Sequence, residues 1–291
     1  MEDHEAKLGA FFRHIRKRRG LKIRDVSAGI SETTLSRFER GQIDLTISKL
    51  APAMEAAEMD PADVLMRPNQ AKAAFDVALR SVHDALVRGN KAMATAALHN
   101  YRFATDNMYL PLRPFNLMIL ETWTESIKFP TIYLSDANQD EVVSFLERDD
   151  DWHHFEYMLY AELVYFMDEH HSKRAFRIMV RSFAKRQHPE NDRQAYQMAL
   201  MNAIMRPIET GDLEFAGEIM KMIDGMKLSP IDIFTNYRRE LCRCAFAFKQ
   251  NGGEEQREIL QNLLGSLDFL GSPQLAASDM LWLKRCGVEF K

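Results

Sequence analysis

Hydroxyl and guanidinium side chains recur at helical spacing between Ser31 and Gly41. Ser31 is a good N-cap, and Gly41 stands where helices commonly end in a left-handed conformation, so the stretch predicts one short helix. Leu35 and Phe38 lie three residues apart and share its apolar face. The opposite face carries groups that hydrogen-bond base edges and pair with phosphates: Thr33, Ser36, Arg37 and Arg40. The pattern suits a DNA groove, although an ordinary surface helix with solvated arginines would share it.

Basic residues concentrate around this stretch. From Arg13 to Arg40 the chain carries nine lysines and arginines against three acids, a local charge of +6 in a chain of net charge −4. A basic patch on an acidic chain is typical of a DNA-binding protein, and here the patch coincides with the capped helix. We therefore expect Thr33, Ser36 and Arg37 to contact bases. The candidates for phosphate contacts are Arg13, Lys17, Arg24 and Arg40.

The neighbouring segments predict a helix-turn-helix. Apolar residues upstream follow amphipathic helical spacing: Leu8, Phe11, Phe12 and Ile15. The basic run Arg16–Arg19 ends the other side of that helix, and Lys22–Ser27 predicts a short second helix before the turn at Gly29. Downstream residues indicate a fourth helix, then a proline-started fifth: Ile47, Leu50 and Met54, then Asp60, Pro61, Val64 and Leu65. The second helix of such a motif enters the major groove.

Residues 7–66 resemble the XRE-type helix-turn-helix. More narrowly, Leu35–Gly41, followed by Asp44-Leu45 and Ser48–Leu50, resembles the Rgg/GadR/MutR family of bacterial transcriptional regulators. The Ser-Arg-Phe-Glu-Arg-Gly run carries the narrower likeness. The resemblance implies a cytoplasmic bacterial regulator of transcription that binds promoter DNA.

The rest of the chain predicts helices of about 16–20 residues separated by short breaks at proline or glycine. Asn138 and Asp151 are the expected N-caps of two of them. This rhythm favours an α-solenoid of stacked helical hairpins, with a plain helical bundle as the alternative. The 34-residue tetratricopeptide consensus is absent. The resemblance implies a TPR-like domain, and Asp151–Glu156 is similar to the family's Trp-x-x-aromatic-Glu signature.

The predicted fold class is therefore all-α, with a five-helix DNA-binding domain and a TPR-like α-solenoid. We expect the helix-turn-helix domain at residues 1–66 and a linker at 67–73. Residues 74–291 would form the repeat domain for ligand binding and dimerisation. A single module contacts few bases, so a twofold homodimer on an inverted repeat is expected.

The resemblance also implies a short signalling peptide as ligand. The family often has Asn near the position of Glu162, so the resemblance implies altered ligand contacts in this chain. Asparagine can hydrogen-bond a peptide backbone through both groups of its amide, and arginine can pair with a terminal carboxylate. The candidates on the later helices are Asn202, Arg206, Asn236 and Arg239, each also a residue that a solvated surface carries. The alternative function is an adaptor whose helical domain binds a cellular protein.

The residue patterns do not favour catalysis. The pairs His153-His154 and His170-His171 match no zinc or calcium template, and surface positions at helix ends explain them. There is no phosphate-binding glycine loop and no nucleophile elbow. Three late cysteines fit a reducing cytosol, and no apolar run has the length of a membrane span. We expect no metal, no cofactor, no membrane segment and no enzymatic activity.

Overall fold

The computed structural model describes residues 2–60, 70–185 and 187–290. The chain divides into two compact units, Met1–Val77 and Ala78–Lys291. The division falls inside one helix, Gln70–Val87, which begins within the predicted linker at 67–73. Residues 67–69 of that linker lie outside the described part of the chain, and residues 70–73 belong to the helix, so the linker's bounds stay a prediction. Within the described ranges all regular structure is helical, as the sequence predicts, with 14 α-helices and no strand.

The first unit contains three described α-helices and one short 3₁₀ turn. They are α1 (Glu2–Arg18), the 3₁₀ turn Ile23–Val26, α2 (Glu32–Glu39) and α3 (Ile47–Ala56). The predicted second helix is thus a single 3₁₀ turn. The predicted fifth helix falls on residues 61–69, outside the described part of the chain. The core is apolar and drawn from every element: Phe12, Val26, Ile30, Leu35, Phe38, Leu50, Ala53, Met54, Ala57 and Met59.

Two details fix how α2 sits on this core. A Cβ atom at Gly9 would lie 1.9 Å from the carbonyl oxygen of Phe38, so α1 and α2 touch through their backbones. The turn before α2 needs positive φ angles at Ala28 (43°) and Gly29 (87°), as the predicted tight turn requires. Ile47, Leu50 and Met54 lie on α3, the predicted fourth helix. Ile47 itself is 73% exposed, because it stands in the first turn of α3, beyond the edge of the core.

The second unit consists of helical hairpins. Its helices are α4 (Gln70–Val87, which begins in the first unit), α5 (Lys91–Thr105), α6 (Arg113–Ser126), α7 (Asp136–Leu146), α8 (His154–Leu163), α9 (Glu169–Ala184), α10 (Glu190–Thr210), α11 (Leu213–Asp224), α12 (Ile233–Asn251), α13 (Glu254–Phe269) and α14 (Pro273–Arg285). A 3₁₀ turn, Val164–Phe166, follows α8. Among the described helices, none combines the length and hydropathy of a bilayer span.

The even-numbered helices from α6 onward contact one another at a nearly constant offset in sequence. The bonded pairs are 39 to 42 residues apart: Trp123–Glu162, Ala161–Asn202, Met201–Cys242 and Tyr237–Asp279. A constant offset is typical of a solenoid, in which each hairpin contacts its neighbours, and not of a closed bundle. The repeat is therefore about 40 residues long, which agrees with the absence of the 34-residue consensus.

Two predicted N-caps in this unit are wrong. Ser135 caps α7, because its Oγ accepts from the backbone N–H of Asn138, the residue expected to be the cap. Helix α8 begins after His153, two residues beyond Asp151, and Glu156 accepts from the His153 N–H at 3.0 Å. Trp152 therefore precedes α8. It is buried, and its Nε1 donates to the carbonyl of Leu146 at 3.0 Å.

Candidate nucleic-acid interface and ligand groove

Helix α2 has the ends that the sequence predicts. The Oγ of Ser31 accepts from the backbone N–H of Thr34 at 3.1 Å. At the other end, Gly41 has a φ of +69°, and its N–H donates to the Phe38 carbonyl at 2.8 Å. These bonds satisfy backbone groups that a helix terminus leaves without partners. The helix is therefore a stable short rod, although it spans only eight residues.

The two faces of α2 differ sharply. Leu35 and Phe38 are fully buried, whereas Thr33, Arg37 and Arg40 are exposed. Ser36 is half-buried, and its carbonyl accepts from the Nε of Arg40 at 3.1 Å. The side chains of Thr33 and Arg37 make no hydrogen bond or ion pair with any residue that the structure describes. Their donors are available to a ligand outside the chain.

The candidate phosphate contacts lie on elements packed against α2. Arg13 and Lys17 are exposed on α1. Arg24 is exposed on the 3₁₀ turn, with its Nε 3.6 Å from a carboxylate oxygen of Asp25. An exposed pair of this kind is weak and exchanges readily for a phosphate. The roles of these residues stay predictions.

The basic run that ends α1 is not a uniform surface, which corrects the sequence interpretation. Arg16 is buried, and its Nε and Nη2 donate to the two carboxylate oxygens of Glu39 at 2.6 and 2.7 Å. A third bond joins its Nη1 to the Leu21 carbonyl at 2.7 Å. The bonds with Glu39 raise the pKa of Arg16. Arg19 donates to the carbonyls of Ala57 and Glu58 at the end of α3. These two arginines hold the unit together, whereas Lys17 remains exposed.

Two of the predicted peptide contacts lie on α10 and are engaged within the chain. The side-chain amide of Asn202 donates to the Ala161 carbonyl of α8 at 2.9 Å. Arg206 is buried, and its Nε donates to the Tyr165 carbonyl at 3.1 Å. The Arg206 guanidinium also lies 4.4 and 4.5 Å from the ring centres of Tyr133 and Tyr165. Both side chains crosslink α10 to the preceding repeat.

The other two predicted contacts, Asn236 and Arg239, bond to each other on α12. The Asn236 amide donates to the carbonyls of Ser229 and Asp232 at 2.8 Å, and its oxygen accepts from Nη2 of Arg239 at 2.9 Å. The Nε of Arg239 lies 3.4 Å from Glu240. Both side chains are half-buried. A ligand would have to replace some of these bonds.

A groove lies between α8 and α10. Its volume is about 180 Å³. It is lined by polar and apolar side chains from the two helices: His154, Met158, Ala161 and Glu162 of α8, and Asn191, Gln194, Ala195 and Met198 of α10. Glu162 is the only acid among them, and lysine and arginine are absent from this lining.

The carboxylate of Glu162 bonds to side chains of two earlier repeats. Its Oε2 accepts from the Nε1 of Trp123 at 2.7 Å, and the Nε2 of His83 lies 3.0 Å from the same oxygen. Burial by itself lowers the pKa of His83, but the charge of Glu162 and this hydrogen bond outweigh it and raise that pKa. The resemblance to a family with Asn near this position was the only sequence signal that singled out Glu162.

The histidine pairs contribute no site in the described part of the chain. His171 is mostly buried, not a surface residue as expected, because its ring lies between Asp168 at 2.9 Å and Asp140 at 3.1 Å. Among the described residues, no three His, Cys, Asp or Glu side chains lie close enough together to hold a metal ion.

Comparison with known proteins adds two family matches. A model described as the C-terminal domain of the HTH-type transcriptional regulator Rgg matches residues 105–278. A helix-turn-helix domain model matches residues 7–65. The helix-turn-helix match contains α2, and the Rgg match contains the α8–α10 groove.

Several solved structures are similar over nearly the whole chain. The SHP pheromone receptor Rgg2 of Streptococcus dysgalactiae has a TM-score of 0.71 at 15% identity, over 96% of this chain and 99% of that one. A putative transcriptional regulator from Listeria monocytogenes EGD-e has a TM-score of 0.73 at 15% identity, over 97% of both chains. The PrgX/cCF10 complex gives 0.69 at 13% identity, over 98% of this chain and 94% of that one. At such low identity the similarity shows a shared fold.

Proposed function

The chain belongs to the Rgg family of helix-turn-helix transcriptional regulators, and from this we propose that α2 is its recognition helix. In this proposal Thr33, Ser36 and Arg37 contact base edges in the major groove. The phosphate contacts are Arg13, Lys17, Arg24 and Arg40. Residues 1–66 form the DNA-binding domain, 67–73 the linker and 74–291 the repeat domain. The protein acts in the bacterial cytoplasm and has no enzymatic role.

The difference between the two faces of α2 carries this proposal. Its apolar face completes the core of the first unit, so the helix cannot rotate without exposing Leu35 and Phe38. Its polar face is thereby held outward, with the guanidinium of Arg37 unengaged by the described residues. Arginine in this position can donate two parallel bonds to a guanine, the commonest specific contact to a base.

The test is DNA binding by the Arg37→Ala variant. The gene's own upstream region is the probe, and fluorescence anisotropy or gel shift gives the affinity. We expect a loss of about 1–3 kcal/mol in binding free energy and relaxed specificity at one position. Arg181→Ala, which removes an exposed arginine of the second unit, is the control. Unchanged affinity of Arg37→Ala would show that α2 lies in another register.

We propose further that the helical unit binds a short peptide and that the protein is a homodimer on an inverted repeat. The similarity of the fold to the PrgX/cCF10 complex and to a bacterial peptide pheromone/receptor complex supports a peptide ligand. The candidate contacts are the groove between α8 and α10 together with the four predicted residues: Asn202, Arg206, Asn236 and Arg239.

The peptide proposal is tested with synthetic peptides encoded by small open reading frames beside the gene. A peptide at a hundred times its dissociation constant should raise the free energy of unfolding by about 2.7 kcal/mol. Thermal unfolding of the full chain measures this effect, and peptides of scrambled sequence serve as controls. If no neighbouring peptide shifts the unfolding temperature more than its scrambled form, the ligand is of another kind.

A further inference from the structure

Glu162 has one carboxylate oxygen with two partners and one with none. Its side chain is only 13% exposed. Oε2 is bonded by both Trp123 and His83, whereas Oε1 accepts no hydrogen bond from any residue that the structure describes. Oε1 is not closed off from solvent. A donor that enters the groove can therefore replace water on this oxygen and pair with the charge of the carboxylate.

The groove beside Glu162 is suited to such a donor. With a single acid and without lysine or arginine in its lining, it favours a positive charge. Met158 and Met198 form adaptable apolar walls along which a long aliphatic stem can pack. The amide of Asn191 adds acceptor capacity at the rim, while that of Gln194 already donates to Glu190 at 3.2 Å.

The size of the groove limits the ligand group. Pockets that enclose whole small molecules usually measure about 300–1,000 Å³. A groove of about 180 Å³ is smaller and suits the end of one side chain or one chain terminus. An alkylammonium or a guanidinium meets the requirements of charge, donors and size.

We propose that the α8–α10 groove binds a cationic nitrogen group, which donates to Oε1 of Glu162. The group would be a lysine or arginine side chain, or the N-terminal ammonium, of a short peptide. That assignment rests on the proposed peptide-binding function, but the cation site itself does not. His83 and Trp123 hold the carboxylate in place from the opposite side and act as positioning residues.

The imidazole of His83 makes the site sensitive to pH. The groups around Glu162 are His83 on α4, the uncharged indole of Trp123 on α6, and His154, about two turns earlier on α8 itself. Protonated His83 neutralises Glu162 and weakens its attraction for a second cation. The raised pKa of His83 is the sign of this attraction between imidazole and carboxylate. The cation is therefore bound more tightly as pH rises through that pKa.

The indole N–H resonance of Trp123 provides a direct measurement. The full chain is labelled with ¹⁵N-tryptophan, and the resonance is assigned with the Trp123→Phe variant. Titration with n-butylammonium or argininamide should shift the Trp123 signal saturably, and neutral n-butanol should not. Glu162→Gln keeps an acceptor for Trp123 but removes the charge, so the affinity should fall about tenfold or more. Glu258→Gln, an exposed change on α13, should behave as the unmodified chain.

Two results overturn the proposal. One is the absence of a saturable shift with either cation, and the other is equal affinity in the unmodified chain and Glu162→Gln. Should Glu162→Gln lose its native circular dichroism, Met158→Lys serves as the second variant. A lysine one turn before Glu162 on the same helix should place its own ammonium on that carboxylate and block the added cations. Unimpaired binding to a folded Met158→Lys protein also contradicts the proposal.

Peptide pools separate this site from the broader peptide proposal. Pools of short random peptides containing lysine are compared with the same pools after acetylation of lysine and N-terminus. Selective capture of the free-amine pool, lost in Glu162→Gln, supports both proposals. Equal capture of both pools keeps the peptide function and overturns the assignment of the cation to a peptide. A cation-dependent Trp123 shift without capture of any pool keeps the cation site and contradicts peptide binding.

Discussion

The side chains predicted to bind ligands have different surroundings in the two units. On α2 of the first unit, Arg37 is exposed and makes no bond to the described chain. On α10 of the second unit, Asn202 and Arg206 bond to backbone carbonyls of the preceding repeat. The difference follows from packing: one face of α2 is covered, whereas α10 is flanked by helices of two other repeats. A polar side chain on a covered face must find a partner, because an unpaired buried group is costly.

The same contrast occurs within one turn of α1. Arg16 is buried on Glu39, and its neighbour Lys17 is exposed. Both belong to one basic run, yet the first holds the fold and the second is available to DNA. The four predictions below test this division between internal partners and external ligands.

The largest effect is expected for Arg16→Ala. Removal of one member of a buried pair leaves Glu39 charged, buried and without its bidentate partner, which typically costs about 3–5 kcal/mol. The first unit should unfold at a much lower denaturant concentration, and DNA binding should be lost with it. Circular dichroism in urea measures the change. The control is Arg18→Ala, an exposed neighbour expected to change stability by less than about 0.5 kcal/mol. Equal stability of the two variants would refute the structural role of Arg16.

A smaller loss is expected for Arg206→Met. Methionine fills much of the space between Tyr133 and Tyr165 but cannot donate a hydrogen bond to the Tyr165 carbonyl. It also cannot balance the negative charge of Glu209, which lies 3.4 Å from the Arg206 guanidinium. We expect a loss of about 2–3 kcal/mol in the second unit's free energy of unfolding. Arg239→Met, whose guanidinium bonds only half-buried groups of its own helix, should lose less than about 1 kcal/mol. If Arg206→Met unfolds like the unmodified chain and loses only ligand, Arg206 is a ligand contact.

Local signals predicted much of the fold. Ser31, Gly41 and the spacing of Leu35 and Phe38 define α2, and breaks at proline and glycine separate the hairpins. Where two good caps compete within three residues, as with Ser135 and Asn138, local preference does not choose between them, and packing decides.

The recognition face could be predicted from the sequence, whereas the contacts around the groove could not, and the reason is physical. The recognition face depends on residues within one helix, so its spacing is visible in the sequence. The groove depends on Glu162 meeting Trp123, 39 residues away, and His83, 79 residues away. The pair Arg16–Glu39, 23 residues apart, is hidden in the same way. The first two separations correspond to about one and two repeats of the solenoid, but no consensus in the sequence marks that repeat, so only the stacking of whole helices reveals these contacts.

A still smaller effect, confined to binding, is expected for Lys17→Gln. The side chain is exposed, so stability should stay within about 0.5 kcal/mol of the unmodified chain. Removal of one phosphate contact should weaken binding to all DNA sequences alike and lower the salt slope of log K by about 1. Affinities for operator and random DNA across a salt series provide the measurement. Lys128→Gln in the second unit is the control, and an unaltered slope would exclude Lys17 from the phosphate contacts.

The smallest effect concerns His83 and Glu162. Glu162→Gln removes the charge that raises the pKa of His83. Burial, which lowers this pKa, remains, and the pKa of His83 should therefore fall. Because the pKa of His83 is higher in the folded chain than its ordinary value of 6.5, protonation of His83 stabilises the fold at pH values below 6.5. This stabilisation is lost as the pH rises through the pKa of the folded chain. Glu162→Gln should therefore destabilise the chain more near pH 5.5 than near pH 8.5. Because the imidazole is 39% exposed, the difference should stay below about 1 kcal/mol.

Histidine ring resonances followed by NMR give the pKa, and urea unfolding at the two pH values gives the stability. His171, held by Asp168 and Asp140, should titrate identically in both proteins and serves as the internal control. An unchanged pKa of His83 would mean that Glu162 is already neutralised by another group. The groove would then lack a free negative charge to bind a ligand, and Glu162 would be an internal partner like Asn202 and Arg206. Only the recognition helix would then present side chains to an external ligand.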